Sequence, residues 1–334
     1  IVIMLLQKKM KVLLVRTKFN DLTVPPPYMP IGLLYLASML KNNNIEVEVI
    51  DLNKQTESDL WSAIETSNII GISMLSYARS QAFRIIRNIK TMYGDKKKIV
   101  LGGIFPTMMY QELIERFPID AIKIGEGEQA LLELCLEYET NGQLSKQFYQ
   151  SELMDLDSIP FPAWEYSNFD WWTMQIAKSR PNLEINGLRI GNLRWSPIIA
   201  SRGCVGRCIF CNAFKHWGYK VRFRSAKNIA DEIELLVNKY NVRLFSFDDD
   251  AFPYNRQQCM ELCNEIVKRN LKIAWKADTR ADVFDREMLE KMHEAGCFML
   301  AIGIESASQK ILDRIKKDLD LDKAAEMQRL TYTG

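Results

Sequence analysis

The chain has 334 residues, of which 47% are hydrophobic and 26% are charged, and its net charge is +2. This length exceeds one ordinary core and predicts about two domains. The small net charge gives no indication of nucleic-acid binding, and no apolar run approaches the ~20 residues needed to span a bilayer. Seven cysteines, with three of them inside eight residues, favour reduced thiols in the cytoplasm over a disulfide framework.

Residues 10–142 alternate short apolar strands with helices. Strands are predicted at residues 11–16, 46–51, 69–74, 99–101 and 121–124. Helices are predicted at residues 32–40, 81–92, 110–117 and 129–138. This order predicts an α/β fold with a parallel, doubly wound sheet, whose ligands bind beyond the carboxyl ends of the strands.

Residues 143–195 interrupt the alternation and are predicted to form a connector rich in proline and aromatic residues, whose rings pack internally rather than forming a ligand cage. The alternation returns in residues 196–334. Strands are predicted at 197–201, 244–247, 273–277 and 298–302, and helices at 226–239, 256–269, 286–295 and 309–315. This predicts part of a (β/α) barrel or a second open sheet. Since one further helical stretch, 322–330, follows the fourth strand, we expect an incomplete barrel in a chain truncated at its C-terminus.

Three cysteines follow the first predicted strand of the second half at CxxxCxxC spacing: Cys204, Cys208 and Cys211. Thiolates are the usual ligands of iron–sulfur clusters, and three thiolates on a 4Fe–4S cluster leave one iron open. Zinc is an alternative, with His216 as a fourth ligand, although zinc sites usually pair cysteines as CxxC. Three buried structural thiols are a further alternative.

This segment and those after it resemble the radical S-adenosylmethionine (SAM) superfamily. The resemblance rests on the cysteine loop, on FDDDAF at 247–252, on WKADTRAD at 275–282 and on GIES at 303–306. It implies that SAM binds the open iron and is reductively cleaved to a 5′-deoxyadenosyl radical. It also implies contacts to SAM from the matching positions, which are Phe210, Asp249, Asp250, Arg280, Glu305 and Ser306. Without the resemblance, the carboxylates at 248–250 would cap the following helix, and the glutamate would be a solvated loop residue.

The first domain resembles the cobalamin-binding domain often fused before such a barrel. The matching elements are SML at 73–75, GG at 102–103 and GEGE at 125–128, each after a predicted strand. They imply cobalamin contacts from Ser73, Leu75, Gly102, Gly103, Gly125 and Glu126. The family's DxHxxG segment is absent, since residues 17–21 read TKFND, so we expect cobalamin to bind base-off without a histidine ligand. The alternative is a flavodoxin-like domain that has no cofactor.

Together the resemblances imply an enzyme that takes hydrogen from an unactivated small-molecule substrate and transfers a methyl group to it, using electrons from a reductant such as flavodoxin or ferredoxin. Rearrangement, cyclisation or oxidation without methyl transfer are alternatives within this class. A non-catalytic sensor or fragment that binds cobalamin or a cluster is an alternative from another class. Methylthiotransferases match less well, because the first domain offers only Cys135 for a second cluster.

Overall fold

The computed structural model describes residues 10–18, 28–179, 184–185 and 188–332. These residues divide into two structural units, here called unit 1 and unit 2. Unit 1 consists of residues 10–18, 30–154 and 158–167, and unit 2 consists mainly of residues 168–179 and 188–332. The predicted connector is therefore shared between the two units at about residue 167.

Unit 1 contains six strands and six α-helices among its described residues. In chain order they are β1 (Lys11–Arg16), α1 (Ile31–Asn42), β2 (Glu46–Asp51), α2 (Glu57–Thr66), β3 (Ile69–Ser73), α3 (Arg79–Tyr93), β4 (Lys98–Gly102), α4 (Ile104–Met108), α5 (Tyr110–Arg116), β5 (Ala121–Lys123), α6 (Glu128–Asn141) and β6 (Phe148–Tyr149). The strands form one parallel sheet in the order β2-β1-β3-β4-β5-β6. The order reverses between β1 and β3, which is where ligands bind to doubly wound sheets.

The sheet of unit 1 is buried on both faces, as its continuous apolar strands predict. Along β1, Val12 and Leu14 pack in one core with α1 and α6, while Leu13 and Val15 pack in a second core with α2 and α3. Helix α2 was not predicted, although its start carries a capping box. Thr56 Oγ1 accepts from the backbone of Asp59, whose carboxylate accepts from the Thr56 N–H at 2.8 Å.

Unit 2 begins within the predicted connector. In chain order its elements are α7 (Phe169–Ser179), β7 (Glu184–Ile185), β8 (Leu188–Arg189), β9 (Arg194–Ile198), β10 (Ser201–Arg202), α8 (Ala213–Trp217), β11 (Arg222–Phe223), α9 (Ala226–Tyr240), β12 (Val242–Phe247), α10 (Arg256–Lys268), β13 (Ala274–Thr279), α11 (Arg286–Glu294), β14 (Cys297–Ile302), α12 (Gln309–Arg314) and α13 (Leu321–Tyr332). Strands β9, β12, β13 and β14 form a parallel sheet in chain order. Each strand adds beside its predecessor without a reversal, which is the order of a partial barrel rather than of a doubly wound sheet.

Aromatic side chains pack together on β12, on β13 and on the segment after β12. Phe247 stacks on Phe252 with ring centroids 4.2 Å apart and meets Trp275 edge-on at 5.1 Å. The predicted packing of the connector aromatics also holds for Trp164 in unit 1 and Trp172 in unit 2, each of which is 1% exposed. Among the described helices, none combines the length and the apolar character needed to cross a membrane.

Candidate functional site

The cysteine loop leaves the carboxyl edge of the unit 2 sheet. It begins after β9, and the short antiparallel pair β10 and β11 closes its base. Gly203 opens the loop with φ +107°, and a Cβ at this position would lie 2.3 Å from the carbonyl oxygen of Lys220. The chain can pass Lys220 this closely because residue 203 is a glycine.

Two of the three thiols of the loop lie beside the same glycine. A Cβ on Gly206 would lie 3.3 Å from Cys204 Sγ and 3.7 Å from Cys208 Sγ, so these two sulfurs flank one glycine. The backbone N–H of Gly206 donates to Cys204 Sγ at 3.4 Å, and that of Ala213 donates to Cys211 Sγ at the same distance. Donors aimed at sulfur stabilise thiolates, which is the form that binds metal.

Basic residues also face the thiols. Cys208 is 9% exposed, and burial raises the pKa of its thiol while the nearby Lys317 charge acts in the opposite direction. The loop is fastened to the segment after α12, because the Ile209 N–H donates to the Ile315 carbonyl at 3.0 Å. This contact brings Lys317 close to the cysteine loop.

The acidic segment after β12 forms hydrogen bonds with residues 200–203, here called the arm, which lead to Cys204. Asp249 is 7% exposed, and its carboxylate accepts from the Ala200 N–H at 3.1 Å, from the Ser201 N–H and from the Ser201 hydroxyl at 2.6 Å. Asp250 accepts from the backbone of Gly203. Both side chains therefore bind the backbone that precedes Cys204. A direct contact between either one and SAM stays a prediction.

Tyr254 continues this pattern one residue further along the loop. Its hydroxyl donates to Cys204 Sγ at 2.8 Å. Burial raises the pKa of the Tyr254 phenol, so the group stays a protonated donor. Helix capping, the alternative role for the carboxylates, is wrong for α10, because Asn255 is its N-cap and accepts from the Gln258 N–H at 3.1 Å.

The remaining predicted SAM contacts lie at the carboxyl ends of β13 and β14 or on the loop. Phe210 is 53% exposed. Glu305 has φ +69°, a strained conformation for a residue with a side chain, and its carboxylate lies 3.1 Å from Lys317 Nζ. Arg280 pairs with Asp282 at 2.9 Å and donates to the carbonyl of Asp318 at 2.6 Å.

Ser306 lies one residue after Glu305, and its hydroxyl accepts from the Ser308 N–H at 3.2 Å. Arg280 also donates to the Lys317 carbonyl at 3.2 Å. In this structure Arg280 therefore stabilises the turn that carries Lys317. Sequence reasoning did not find Lys317 or Tyr254, because neither one falls in the quoted motifs.

The donor set has the chemistry that a 4Fe–4S cluster requires. Among the described residues, no group of three His, Cys, Asp or Glu side chains is arranged to hold one metal ion. Tetrahedral zinc at ~2.3 Å from each sulfur would bring the thiolates to about 3.8 Å of one another. A 4Fe–4S cluster instead takes each thiolate on a different iron. Three thiols on one loop, with backbone donors to two of them, are a suitable set for such a cluster.

The predicted cobalamin residues of unit 1 share the carboxyl edge of its sheet. Ser73 ends β3 and lies beside Gly102 at the end of β4, while Gly125 follows β5. Gly103 has φ +101°, and a Cβ there would lie 3.2 Å from the Met74 carbonyl oxygen; Gly125 also has a positive φ, +71°. Leu75 and Glu126 flank these positions and are half-buried.

This glycine-lined edge fits the close approach of a flat macrocycle or its nucleotide tail. In the loop after β1, Thr17 and Lys18 are described, and residues 19–21 lie outside the described residues. Both histidines of the chain, His216 and His293, belong to unit 2.

The fold and site thus define a protein with a nucleotide-binding type of sheet followed by a thiolate-bearing partial barrel. Comparison with known families agrees: the B12 binding domain matches residues 18–135, and the Radical SAM superfamily matches residues 198–328. The chain belongs to the radical SAM proteins that contain a cobalamin-binding domain.

Individual relatives are more distant. An uncharacterised methyltransferase of Pyrococcus horikoshii is 28% identical over 87% of this chain and 63% of its own length. The anaerobic magnesium-protoporphyrin IX monomethyl ester cyclase of Rubrivivax gelatinosus is 28% identical over 88% of this chain and 55% of its own length.

Among solved structures, the fold resembles the cobalamin-dependent SAM radical enzyme OxsB, with a TM-score of 0.77 and 22% identity over 96% of this chain and 47% of OxsB. The chain therefore spans between about half and two thirds of the length of these proteins.

Proposed function

We propose that the chain performs reductive cleavage of SAM at a 4Fe–4S cluster held by Cys204, Cys208 and Cys211, in support of cobalamin-dependent methyl transfer. The cluster, when bound, supplies the electron that cleaves SAM and yields the 5′-deoxyadenosyl radical. The observation that carries the proposal is the loop of three thiols at the carboxyl edge of a partial barrel, with N–H donors to two of the sulfurs.

The chain's own residues hold the loop and orient the cofactor. Asp249 and Asp250 fix the arm that leads to Cys204, and Arg280 fixes the turn that carries Lys317. Glu305, Ser306 and Phe210 then present a carboxylate, a hydroxyl and an exposed ring for SAM. Such preorganised contacts are the protein's main contribution in an enzyme whose cofactors carry the chemistry.

Cobalamin, which would carry the methyl group, fits the edge formed by Ser73, Leu75, Gly102, Gly103, Gly125 and Glu126. The support is the positive φ of Gly103 and Gly125, together with the small side chains at the end of β3 and β4. We propose that it binds base-off without a histidine ligand, because both histidines of the chain lie in unit 2.

Product analysis tests the proposal. Anaerobically reconstituted chain is incubated with a strong reductant and SAM, and 5′-deoxyadenosine is quantified. We expect 5′-deoxyadenosine from the parent and none from Cys208→Ala. The matched control is Cys135→Ala, which removes a buried thiol of unit 1 and should leave both iron content and product unchanged. A parent that binds iron and SAM without cleaving SAM would instead be a sensor.

Cyclisation is the second candidate function, because the cyclase of Rubrivivax gelatinosus matches the same two units. The fate of an isotopic label in the SAM methyl group separates the two reactions. Methyl transfer moves the label into a product or onto cobalamin, whereas cyclisation leaves the label in methionine.

The substrate we propose is a small molecule, and the electron donor is a reductant such as flavodoxin or ferredoxin. We propose a cytoplasmic location, because all seven cysteines are free thiols and three of them have to stay reduced to bind the cluster.

A further inference from the structure

Tyr254 contacts a sulfur that the proposed function assigns to the cluster. It lies between β12 and α10, outside the acidic motif, and is half-buried. Its hydroxyl donates to Cys204 Sγ at 2.8 Å. The same sulfur accepts from the Gly206 N–H at 3.4 Å, so Cys204 receives a side-chain donor in addition to a backbone donor.

Hydrogen bonds to cluster sulfurs are one of the levers by which a protein sets a cluster's reduction potential. Adding an electron makes the cluster and its thiolates more negative. A donor aimed at one thiolate is therefore attracted more strongly after reduction than before it. The donor stabilises the reduced state relative to the oxidised state and raises the potential.

The position of the Tyr254 hydroxyl allows its effect on the potential to be measured separately from the folding of the cysteine loop. The fold of the arm depends on Asp249 and Asp250, which bind the backbone of Ala200, Ser201 and Gly203. The phenol oxygen of Tyr254 instead reaches a sulfur that would be a ligand. Removing this oxygen alone leaves the aromatic ring and the contacts of the two carboxylates in place.

We propose that Tyr254 is a positioning residue that raises the reduction potential of the cluster through its hydrogen bond to Cys204. This rests on the proposed function, because it requires a cluster on the three cysteines.

The test is a redox titration of the reconstituted chain, followed by the EPR signal of the reduced cluster. Tyr254→Phe removes the hydroxyl and keeps the ring. We expect unchanged iron content and a ratio of reduced to oxidised cluster that is about tenfold lower at a fixed potential, which for one electron corresponds to a midpoint about 59 mV lower. Tyr219→Phe is the matched control, because Tyr219 stacks on Phe214 within the same unit. It should titrate like the parent.

A second readout does not depend on potential or turnover. Pulsed ENDOR in H₂O and D₂O should detect the exchangeable protons coupled to the reduced cluster, which include those of the Gly206 and Ala213 N–H groups. The parent should show one exchangeable coupling that is absent in Tyr254→Phe, while the backbone couplings remain in both. Equal midpoints and equal proton couplings in parent and variant would overturn the inference while leaving the cluster assignment intact. Loss of iron from Tyr254→Phe would also overturn it, by making the residue structural. A parent that binds no iron would refute the proposed function itself.

Discussion

Asp249→Asn should remove a pH dependence from the stability of unit 2. The Asp249 side chain is buried with three hydrogen-bond donors around it. Burial raises the pKa of this carboxyl from 3.8 to about 7, and the bonds from Ser201 and Ala200 act in the opposite direction. In the unfolded chain the group is already ionised above pH 5.

The direction and the size of this change in the free energy of unfolding follow from the difference between the folded and unfolded pKa of Asp249. Because the folded pKa is higher than the unfolded one, the native state binds the extra proton, and the resulting stability is lost as pH rises through about 7. Between pH 6 and pH 8 the native carboxyl goes from about nine-tenths protonated to about one-tenth, which corresponds to about 1.4 kcal/mol in the free energy of unfolding. Asp249→Asn should lack this difference between the free energies of unfolding at pH 6 and pH 8.

The amide also weakens unit 2 at every pH. Ala200 and Ser201 donate to different oxygens of Asp249, and the amide keeps only one accepting oxygen, so one of these two N–H groups loses its partner. Leaving a buried donor unsatisfied costs about 1–3 kcal/mol. Urea unfolding of the cluster-free chain at pH 6 and pH 8, followed by hydrogen-exchange mass spectrometry on peptides from β12 and β13, reports unit 2 separately. Asp95→Asn is the control, since the Asp95 side chain is 92% exposed. Equal pH dependence in the parent and Asp249→Asn would refute the reasoning.

Three further predictions concern the cofactors. Gly203→Ala should lose iron on reconstitution, because its Cβ would lie 2.3 Å from the Lys220 carbonyl oxygen. Gly218→Ala is the control and should keep its iron, because Gly218 also has a positive φ but has open space around it. Equal iron in both variants would contradict the close approach. Glu305→Ala should bind SAM at least several-fold more weakly in equilibrium dialysis while keeping its iron, and an unchanged affinity would remove Glu305 from the cofactor site. Cob(II)alamin added to the chain should give an EPR spectrum without nitrogen superhyperfine splitting, and splitting from an axial nitrogen would overturn the base-off assignment.

The sequence predicts the alternating core well, because the strands in it are buried on both faces and read as continuous apolar runs. β1 begins and ends at the predicted residues, and so does β2. The first strand of unit 2 is different: it was predicted at 197–201 and is Arg194–Ile198. Residues 200 and 201 instead give their backbone N–H groups to Asp249.

The site is predicted only as far as its local motifs reach. CxxxCxxC places three thiols on one loop whatever the rest of the chain does. Tyr254 reaches Cys204 across 50 residues of sequence, and Lys317 reaches Glu305 across 12, so both depend on strand order and loop packing. The acidic segment is a further example: the motif assigns its residues to SAM, whereas their contacts with residues 200–203 were found only in the structure.

We propose that Cys204, Cys208 and Cys211 hold a 4Fe–4S cluster with an open iron that binds SAM. The most direct test is EPR of the anaerobically reconstituted and reduced chain, with and without SAM, combined with iron and sulfide analysis. We predict about four irons and four sulfides per chain, a reduced-cluster spectrum that SAM perturbs, and no such spectrum when the three cysteines are replaced by alanine. Zinc bound at these thiols without iron, or a cluster spectrum that SAM leaves unchanged, would contradict the claim.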